Sequence, residues 1–458
     1  MIMIKRAFFV LLSALAMACS LWAYSLEELY ELCQKSDPEI AQARSAFQQS
    51  LLDLKDAKAG YGPKVDLTIS ASLIANPIDP IAVSTDTLLS SMGLGAQNPG
   101  AGDGYVTLYK GQEPSYCQVK LDIAQPLYTW GKLGNAVKLY ETITEIRSLQ
   151  VDDLLSRKQA EIKTRCLAVA CLKKMKACLE SQIQDAGALV EASRQAAQAG
   201  LSLELDALEA EVTASELDVG LCEIERNIQS QLDGISILAG AAVKVEDIEL
   251  ELDLQAMTAV LDMDPEALQS SALGMDRAGL KMLGKLEQAS RLGSEIAKAS
   301  VNWKPDLALV ASMDYSGSRL PLVQKDWHGQ DDWGLTLTVA VKTTAWDGGK
   351  ASREVQRALL KDSDAELDIQ KARSSIKEAL SEALGTMRLA RSRMAFRQAK
   401  IEVCQAELDN AQSLLDCGYG SDIDLIKARL ALQQQELELI KAELELATAY
   451  CTVELLSL

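Results

Sequence analysis

The chain has one histidine, His328, in 458 residues, and aromatic side chains make up only 5% of it. Multi-histidine metal sites and Ser-His or Cys-His nucleophile pairs are nearly excluded by that scarcity. Basic residues are also short: 46 Lys and Arg stand against 65 Asp and Glu, a formal charge of −19. A surface for nucleic acid needs a basic face that displaces counterions from phosphate, so no nucleic-acid partner is expected. Past the first two dozen residues no apolar run approaches the ~18 residues of a membrane-spanning helix. Any membrane this chain crosses is crossed by strands. There is no CxxC pair either, and the nine cysteines beyond the leader, an odd number, make no disulfide framework. Cys171 and Cys178 lie seven apart on one helix stripe, where small buried apolar residues are the ordinary reading and metal binding the lesser one. No nucleophile elbow, phosphate loop or metal cluster occurs, so neither catalysis nor a cofactor is expected.

The chain opens instead with the layout of an export signal over residues 1–23: Lys5 and Arg6, an apolar stretch from Ala7 to Ala18, then small residues. Ala16-Met17-Ala18 permits cleavage after residue 18, and Ala23 offers a second site. Cys19, directly after Ala18, also suits a lipoprotein whose thiol is acylated to anchor the mature N-terminus.

Four segments then alternate apolar and polar residues with period two, as a strand with two unlike faces must. They lie at about 63–74, 116–127, 305–316 and 332–343, each near the ~10 residues that span a bilayer when tilted. They belong to two halves that align by arithmetic. Ala57, Tyr61, Pro63 and Val65 become Ala299, Trp303, Pro305 and Leu307 at an offset of 242, and Gly131, Gly200, Asp206 and Ala210 become Gly349, Gly418, Asp424 and Ala428 at an offset of 218. The first half therefore runs over 24–262, with a helical hairpin at 132–239 and a connector at 240–262; the second runs over 263–458, with its hairpin at 350–457. The 24-residue surplus falls in the first strand hairpin, whose loop from Ala75 to Ser115 is rich in Gly, Pro, Ser and Asp and reads equally as disorder or a lid.

Between the strands the composition is Ala, Leu, Glu, Gln, Lys and Arg with almost no Pro or Gly, which predicts long helices. Lys132 to Gln198 and Lys350 to Asp416 each hold 67 residues, about 100 Å if continuous. Ser25 with Glu28 has the capping-box spacing, and Asp37-Pro38 and Asp264-Pro265 place a cap before a proline at the first helical position. Gly200 and Gly418 sit where the long helices must turn back, a place for a left-handed backbone.

Four strands are too few to close a barrel or hide sheet edges, so several copies must contribute. Three chains would supply twelve strands, four each, within the range of known barrels. Helices charged on most turns cannot lie in lipid and should extend from such a barrel as a coiled-coil cylinder. The expected fold is thus an internally duplicated mixed membrane protein: a trimeric 12-stranded β-barrel continued by a long antiparallel α-helical coiled-coil tunnel.

At this point the residues resemble a family. Gly60-Tyr61-Gly62-Pro63-Lys64-Val65 and Asn302-Trp303-Lys304-Pro305-Asp306-Leu307 lead into the first strand of each half; Gln125-Pro126-Leu127-Tyr128-Thr129-Trp130-Gly131-Lys132 and its relaxed counterpart Ala345-Trp346-Asp347-Gly348-Gly349-Lys350 join strand to helix. In order, duplication and spacing these motifs resemble the outer-membrane efflux proteins of the TolC-like family over nearly the whole mature chain. The resemblance implies a homotrimer in outer-membrane lipid, a periplasmic helical tunnel, and docking to a periplasmic adaptor protein and an inner-membrane transporter.

It also implies an entrance gate at the helix turns, where acidic residues of similar proteins line the closed end. Asp206 and Asp424 match the usual acid, Glu209 is acceptable, and Lys427 departs from the acidic pattern and is placed to pair with a neighbouring carboxylate. A threefold ring of carboxylates would favour cations and assist opening by repulsion. The plainer reading of the same charges is a solvated helix face. Tyr61, Tyr128, Trp130, Trp303, Tyr315, Trp333 and Trp346 cluster near strand ends, as interfacial girdles do, with core packing as the alternative. The competing function is an exported coiled-coil tether of the envelope, which needs neither full-length strands nor duplicate helical hairpins.

Overall fold

A computed structural model describes residues 24–93, 104–109, 111, 115–248, 250, 252–274, 277–301, 303–317 and 333–457. The export signal, Cys19 and His328 lie outside the described residues. In chain order the elements are α1 (Leu26–Ser36), α2 (Pro38–Ala59), β1 (Lys64–Leu73), β2 (Ile81–Ser84), α3 (Thr85–Ser91), β3 (Tyr105–Tyr109), β4 (Ser115–Tyr128), α4 (Lys132–Gln198), α5 (Glu204–Ala239), α6 (Leu254–Ala259), α7 (Pro265–Ala272), α8 (Ala278–Ala299), β5 (Asp306–Gly317), β6 (Trp333–Lys342), α9 (Lys350–Asp416) and α10 (Asp422–Ser457).

Helix starts follow the cap chemistry. Ser25 and Glu28 exchange side-chain to backbone hydrogen bonds at 3.2 and 3.0 Å, closing the capping box of α1. Asp37 accepts from the amides of Glu39 and Ile40 ahead of α2, and Asp264 accepts from Glu266 ahead of α7. Pro38 and Pro265 need no amide partner at those positions, since proline has no N–H to satisfy.

The chain divides into two compact units, each drawing on both halves of the duplication. The smaller draws on residues 52–141 and 289–362 and includes the six strands found among the described residues. Its main sheet has the order β1-β4-β5-β6, entirely antiparallel, so the two strand hairpins are joined through β4 and β5. The β4·β5 register runs from Cys117 opposite Gly317 to Tyr128 opposite Leu307, with an irregularity between Pro126 and Tyr128 where proline has no amide to give the ladder. Among the described residues β1 and β6 are the edges, and each has one side without a strand partner. Exposed Val65, Leu67 and Ile69 on β1, and Leu335, Leu337, Val339 and Val341 on β6, form apolar faces that a lone sheet leaves in water. Inside the first loop the structure has a feature the composition did not reveal: β2 and β3 pair as a short hairpin, and Ser84 caps α3 by accepting from the Thr87 amide.

The larger unit holds residues 24–51, 142–288 and 363–457 of the described chain. Its core has two clusters. One gathers Leu29, Ile40, Ile162, Val169, Ile228 and Ile235 from α1, α2, α4 and α5; the other gathers Met257, Leu268, Leu384, Met387, Leu446 and Val453 from α6, α7, α9 and α10. Among the described residues no helix is long and apolar enough to cross a membrane.

Candidate functional site

The two helix turns are built alike. α4 ends in Gly200 at φ 72°, with Gly200 N–H donating to Ala197 O at 3.0 Å and Leu201 N–H to Ala196 O at 2.8 Å. α9 ends in Gly418 at φ 76°, with Gly418 N–H donating to Leu415 O and Tyr419 N–H to Leu414 O, both at 2.9 Å. These bonds satisfy carbonyls that a helix end would otherwise leave orphaned, and the left-handed residue that permits them is glycine in both turns. A Cβ at either glycine would meet nothing within 4 Å, so backbone conformation alone calls for glycine there.

Asp206 and Asp424 each sit in the first turn of the returning helix. Asp206 Oδ2 accepts from the Leu203 amide at 3.1 Å, and Asp424 Oδ2 accepts from Ser421 Oγ at 2.7 Å, while Ser421 Oγ accepts in turn from the Asp424 amide at 3.2 Å. Each carboxylate thus stabilises the start of its own helix, where the macrodipole favours negative charge. Glu204 and Asp422 join them in those first turns. Glu209 and Lys427 are exposed, one turn further along. Among the described residues Lys427 forms no ion pair within the chain, so the carboxylate expected to hold it belongs to no neighbour seen here. The tips are also apolar: Leu201 is 83% and Tyr419 87% exposed.

Two polar contacts at this end were not legible from the sequence. Arg194 on α4 meets Glu211 on α5 at 2.7 Å, bracing the first turn. Higher up, Arg429 Nη1 on α10 donates to Asp185 Oδ1 on α4 at 2.9 Å, and Gln433 Nε2 donates to Asp185 Oδ2 at 2.8 Å and Ser181 Oγ at 3.0 Å. Nothing in a local window marks these residues, since they meet across 244 to 252 positions of chain. Cys178 is half-buried beside Gln433, and burial pushes the Cys171 thiol up to about 11, so both act as packing groups of that helix face.

The aromatics divide. Tyr128, Trp130 and Trp303 form a chain of edge contacts with centroids 5.2 and 6.0 Å apart, whereas Tyr315 is fully buried with its ring 5.0 Å from Trp333. The first group lies at the strand ends; the second is packed within one chain.

A family profile described as outer membrane efflux protein matches residues 29–241 and 284–457. Among solved structures, the outer membrane protein VceC from Vibrio cholerae is similar at 16% identity, TM-score 0.71, over 94% of this chain and 95% of that one. The Campylobacter jejuni CmeC outer membrane channel is similar at 13% identity and TM-score 0.71, over 94% and 84%. The open state of the Neisseria gonorrhoeae MtrE outer membrane channel is similar at 12% identity and TM-score 0.72, over 94% and 88%. No curated protein sequence matches the chain.

Proposed function

From a chain that belongs to the outer membrane efflux protein family, and is therefore an outer-membrane efflux channel, we propose a specific assembly: a homotrimeric exit duct. Three copies of a four-stranded sheet close a twelve-stranded barrel, each β6 meeting the β1 of the next copy. The observation that carries this reading is the pair of open sheet edges bearing apolar outer faces. In lipid every backbone amide and carbonyl needs a partner, so such edges must be closed by another chain. The helical hairpins then form a periplasmic tunnel, to which a periplasmic adaptor protein and an inner-membrane transporter dock to complete a tripartite efflux or secretion system. In this layout residues 1–23 are the export signal, Cys19 is the acylation site if cleavage follows Ala18, and the halves run over 24–262 and 263–458.

The entrance lies at the helix turns, with Asp206, Glu209 and Asp424 contributing carboxylates and Lys427 a cation that closes against a neighbouring copy's acid. The capping geometry supports a dual role for the two aspartates: Oδ2 of each bonds at its helix start, and both residues are exposed. Purified mature protein examined by native mass and in planar bilayers should be a trimer giving discrete channels. Asp206→Asn together with Asp424→Asn should change conductance or reduce cation preference; a monomer would remove the duct reading, and unchanged conductance in a trimer would remove the gate.

A further inference from the structure

The two ends of the main strands carry opposite charge. At the helix end, residues 55–64, 128–138, 298–306 and 342–353 cover the four junctions and hold ten Lys or Arg against three Asp, in a chain whose formal charge is −19. The stretches that join the other strand ends, 74–114 and 318–332, hold three basic residues against seven acids. Lys64 and Lys342 share the parity of Asp66 and Thr338 on the polar sheet face; the other eight cations lie outside the strands. Those charges do little for the helices that carry them. α4 and α9 open on Lys132 and Lys350 with no acid in the first turn, where the macrodipole favours one, whereas α5 opens on Glu204 and Asp206, and α10 on Asp422 and Asp424. Each junction also presents an exposed ring: Tyr61, Tyr128 with Trp130, Trp303 and Trp346.

Where β4 and β5 meet, this charge sits at the end of the apolar face. Tyr128 stands opposite Leu307, and Leu307 opposite Val341 of that face. Trp130 meets Tyr128 and Trp303 edge-on, and Lys304 Nζ lies 5.0 Å from the Trp303 centroid and 6.0 Å from that of Trp130. Lys58, Lys132 and Lys298 are held by Glu141, Asp306 and Glu295, but among the described residues no carboxylate pairs with Lys304, whose Nζ donates to Lys298 O at 3.0 Å. Indole faces and a carbonyl orient an ammonium without neutralising it. β4 and β5 each have a strand on both sides, so this corner lies away from the sheet edges. We propose that Trp130, Trp303 and Lys304 form a headgroup site for an anionic glycerophospholipid, with its phosphate at the ammonium and its acyl chains along the apolar face that begins at Tyr128 and Leu307. The site belongs to a basic and aromatic collar that holds the channel in the leaflet nearest its helices. The inference rests on the outer-membrane channel reading and not on the number of copies. Rings suit the boundary between headgroups and acyl chains, and a lysine stem keeps to the apolar side while its ammonium stays at headgroup level. A zwitterionic lipid meets the same rings but brings no net charge, so discrimination between lipids falls to Lys304.

Native mass of the purified mature protein, titrated in detergent micelles with phosphatidylglycerol or with phosphatidylcholine of the same chains, counts bound lipid directly. Phosphatidylglycerol should be retained in preference. Lys304→Gln keeps a donor for Lys298 O and removes the charge, so it should weaken that preference about fivefold, the share of one cation at an anionic surface. Lys304→Arg should keep the preference, and Lys400→Gln, which neutralises an exposed cation of the larger unit, should leave it unchanged. Equal retention of the two lipids by the parent protein overturns the site without recourse to any variant. An equal loss in Lys400→Gln does so too, since the attraction would then be one of general charge. Displacement of phosphatidylglycerol by millimolar inorganic phosphate also overturns it, because the ligand would then be a free anion. Planar bilayers separate the two readings: a protein that conducts but retains both lipids alike loses only the site, and one that never conducts loses the channel beneath it.

Discussion

The two strand-to-helix junctions follow one backbone path by different means. At the first, β4 gives way to α4 through Trp130 and Gly131 at φ 55° and 84°; at the second, β6 gives way to α9 through Gly348 and Gly349 at φ 66° and 81°. The offset of 218 makes these the same positions. A left-handed tryptophan costs about 1–2 kcal/mol that glycine does not incur. The first junction offsets that cost with contacts: Trp130 Nε1 donates to Pro305 O at 2.9 Å, its ring lies edge-on to Tyr128 and Trp303, and Lys304 Nζ sits 6.0 Å from its centroid. Beside it Lys132 pairs with Asp306 at 2.8 Å. All of these tie the end of β4 to the approach to β5, which joins the two halves of one chain. Gly348 has no such clamp, and a Cβ there would meet nothing within 4 Å. Duplication preserved the turn, while the seam inside the chain acquired glue that the other junction lacks.

The same contrast recurs in the helices, where the largest effect is expected. Lys158 on α4 is 12% exposed and bonds the 4% exposed Asp37 at 3.0 Å and Glu39 at 2.7 Å; its duplicate, Ile376, packs against an apolar cluster. Burial pushes the Asp37 carboxyl up, but hydrogen bonds from Lys158 and the amides of Glu39 and Ile40 outweigh it, so it titrates below its ordinary 3.8. Asp37 therefore contributes stability above that range and loses it as pH falls through the depressed value. Burial pushes Lys158 down, yet its bonds to Glu39 and Asp37 hold it above 10.5, so its contribution is present below that value and lost only in strong base. Lys158→Met leaves a buried carboxylate alone and should cost about 3–5 kcal/mol at neutral pH. The gap to the parent protein, followed by thermal unfolding, should narrow on acidification toward about pH 4 as Asp37 takes up a proton. A gap that stays constant with pH would mean the pair matters for shape and not for charge.

Next in size is the clamp. Trp130→Ala removes the contacts and keeps most of the left-handed cost, so it should destabilise by about 2–4 kcal/mol. Trp130→Gly removes the same contacts and relieves the backbone, and should be the milder variant by about 1 kcal/mol, reversing the usual order of alanine and glycine. Melting temperatures of the two purified variants decide it. If glycine proves the worse, the strain at Trp130 is not being held by its neighbours.

How much of this was legible depends on the range of the physics. The two 67-residue helices and their glycine stops follow from composition and from a left-handed turn, both local properties. Strand phase was equally local, since alternation fixes which side chains share a face. The joining of β4 to β5, the Asp185 and Arg429 latch and the Lys158 cluster were not legible, because each depends on residues that meet from distant parts of the chain. The hairpin of β2 and β3 was missed for another reason: a Gly- and Pro-rich stretch masks two strands of four and five residues. For Asp206 and Asp424 the sequence showed the charge and hid the capping role, which becomes visible only when the carboxylate is seen to reach back to Leu203 or Ser421.

The smallest expected effect separates the junctions by their caps. Asp347 accepts from the amides of Gly349, Lys350 and Ala351 at 2.9, 3.1 and 2.7 Å, so it holds the start of α9. Its duplicate is Thr129, whose Oγ1 reaches only the Leu133 amide, at 3.5 Å. Asp347→Ala should therefore cost about 1 kcal/mol, within the range for a lost N-cap, and Thr129→Ala a few tenths. Amide hydrogen exchange in the first turns of α4 and α9 resolves effects of that size. Faster exchange confined to α9 in the Asp347 variant, with α4 unmoved in the Thr129 variant, would show that a cap secures one junction and the aromatic clamp the other. Equal loosening of both helices would instead make Thr129 a working cap and leave Trp130 without its distinguishing task.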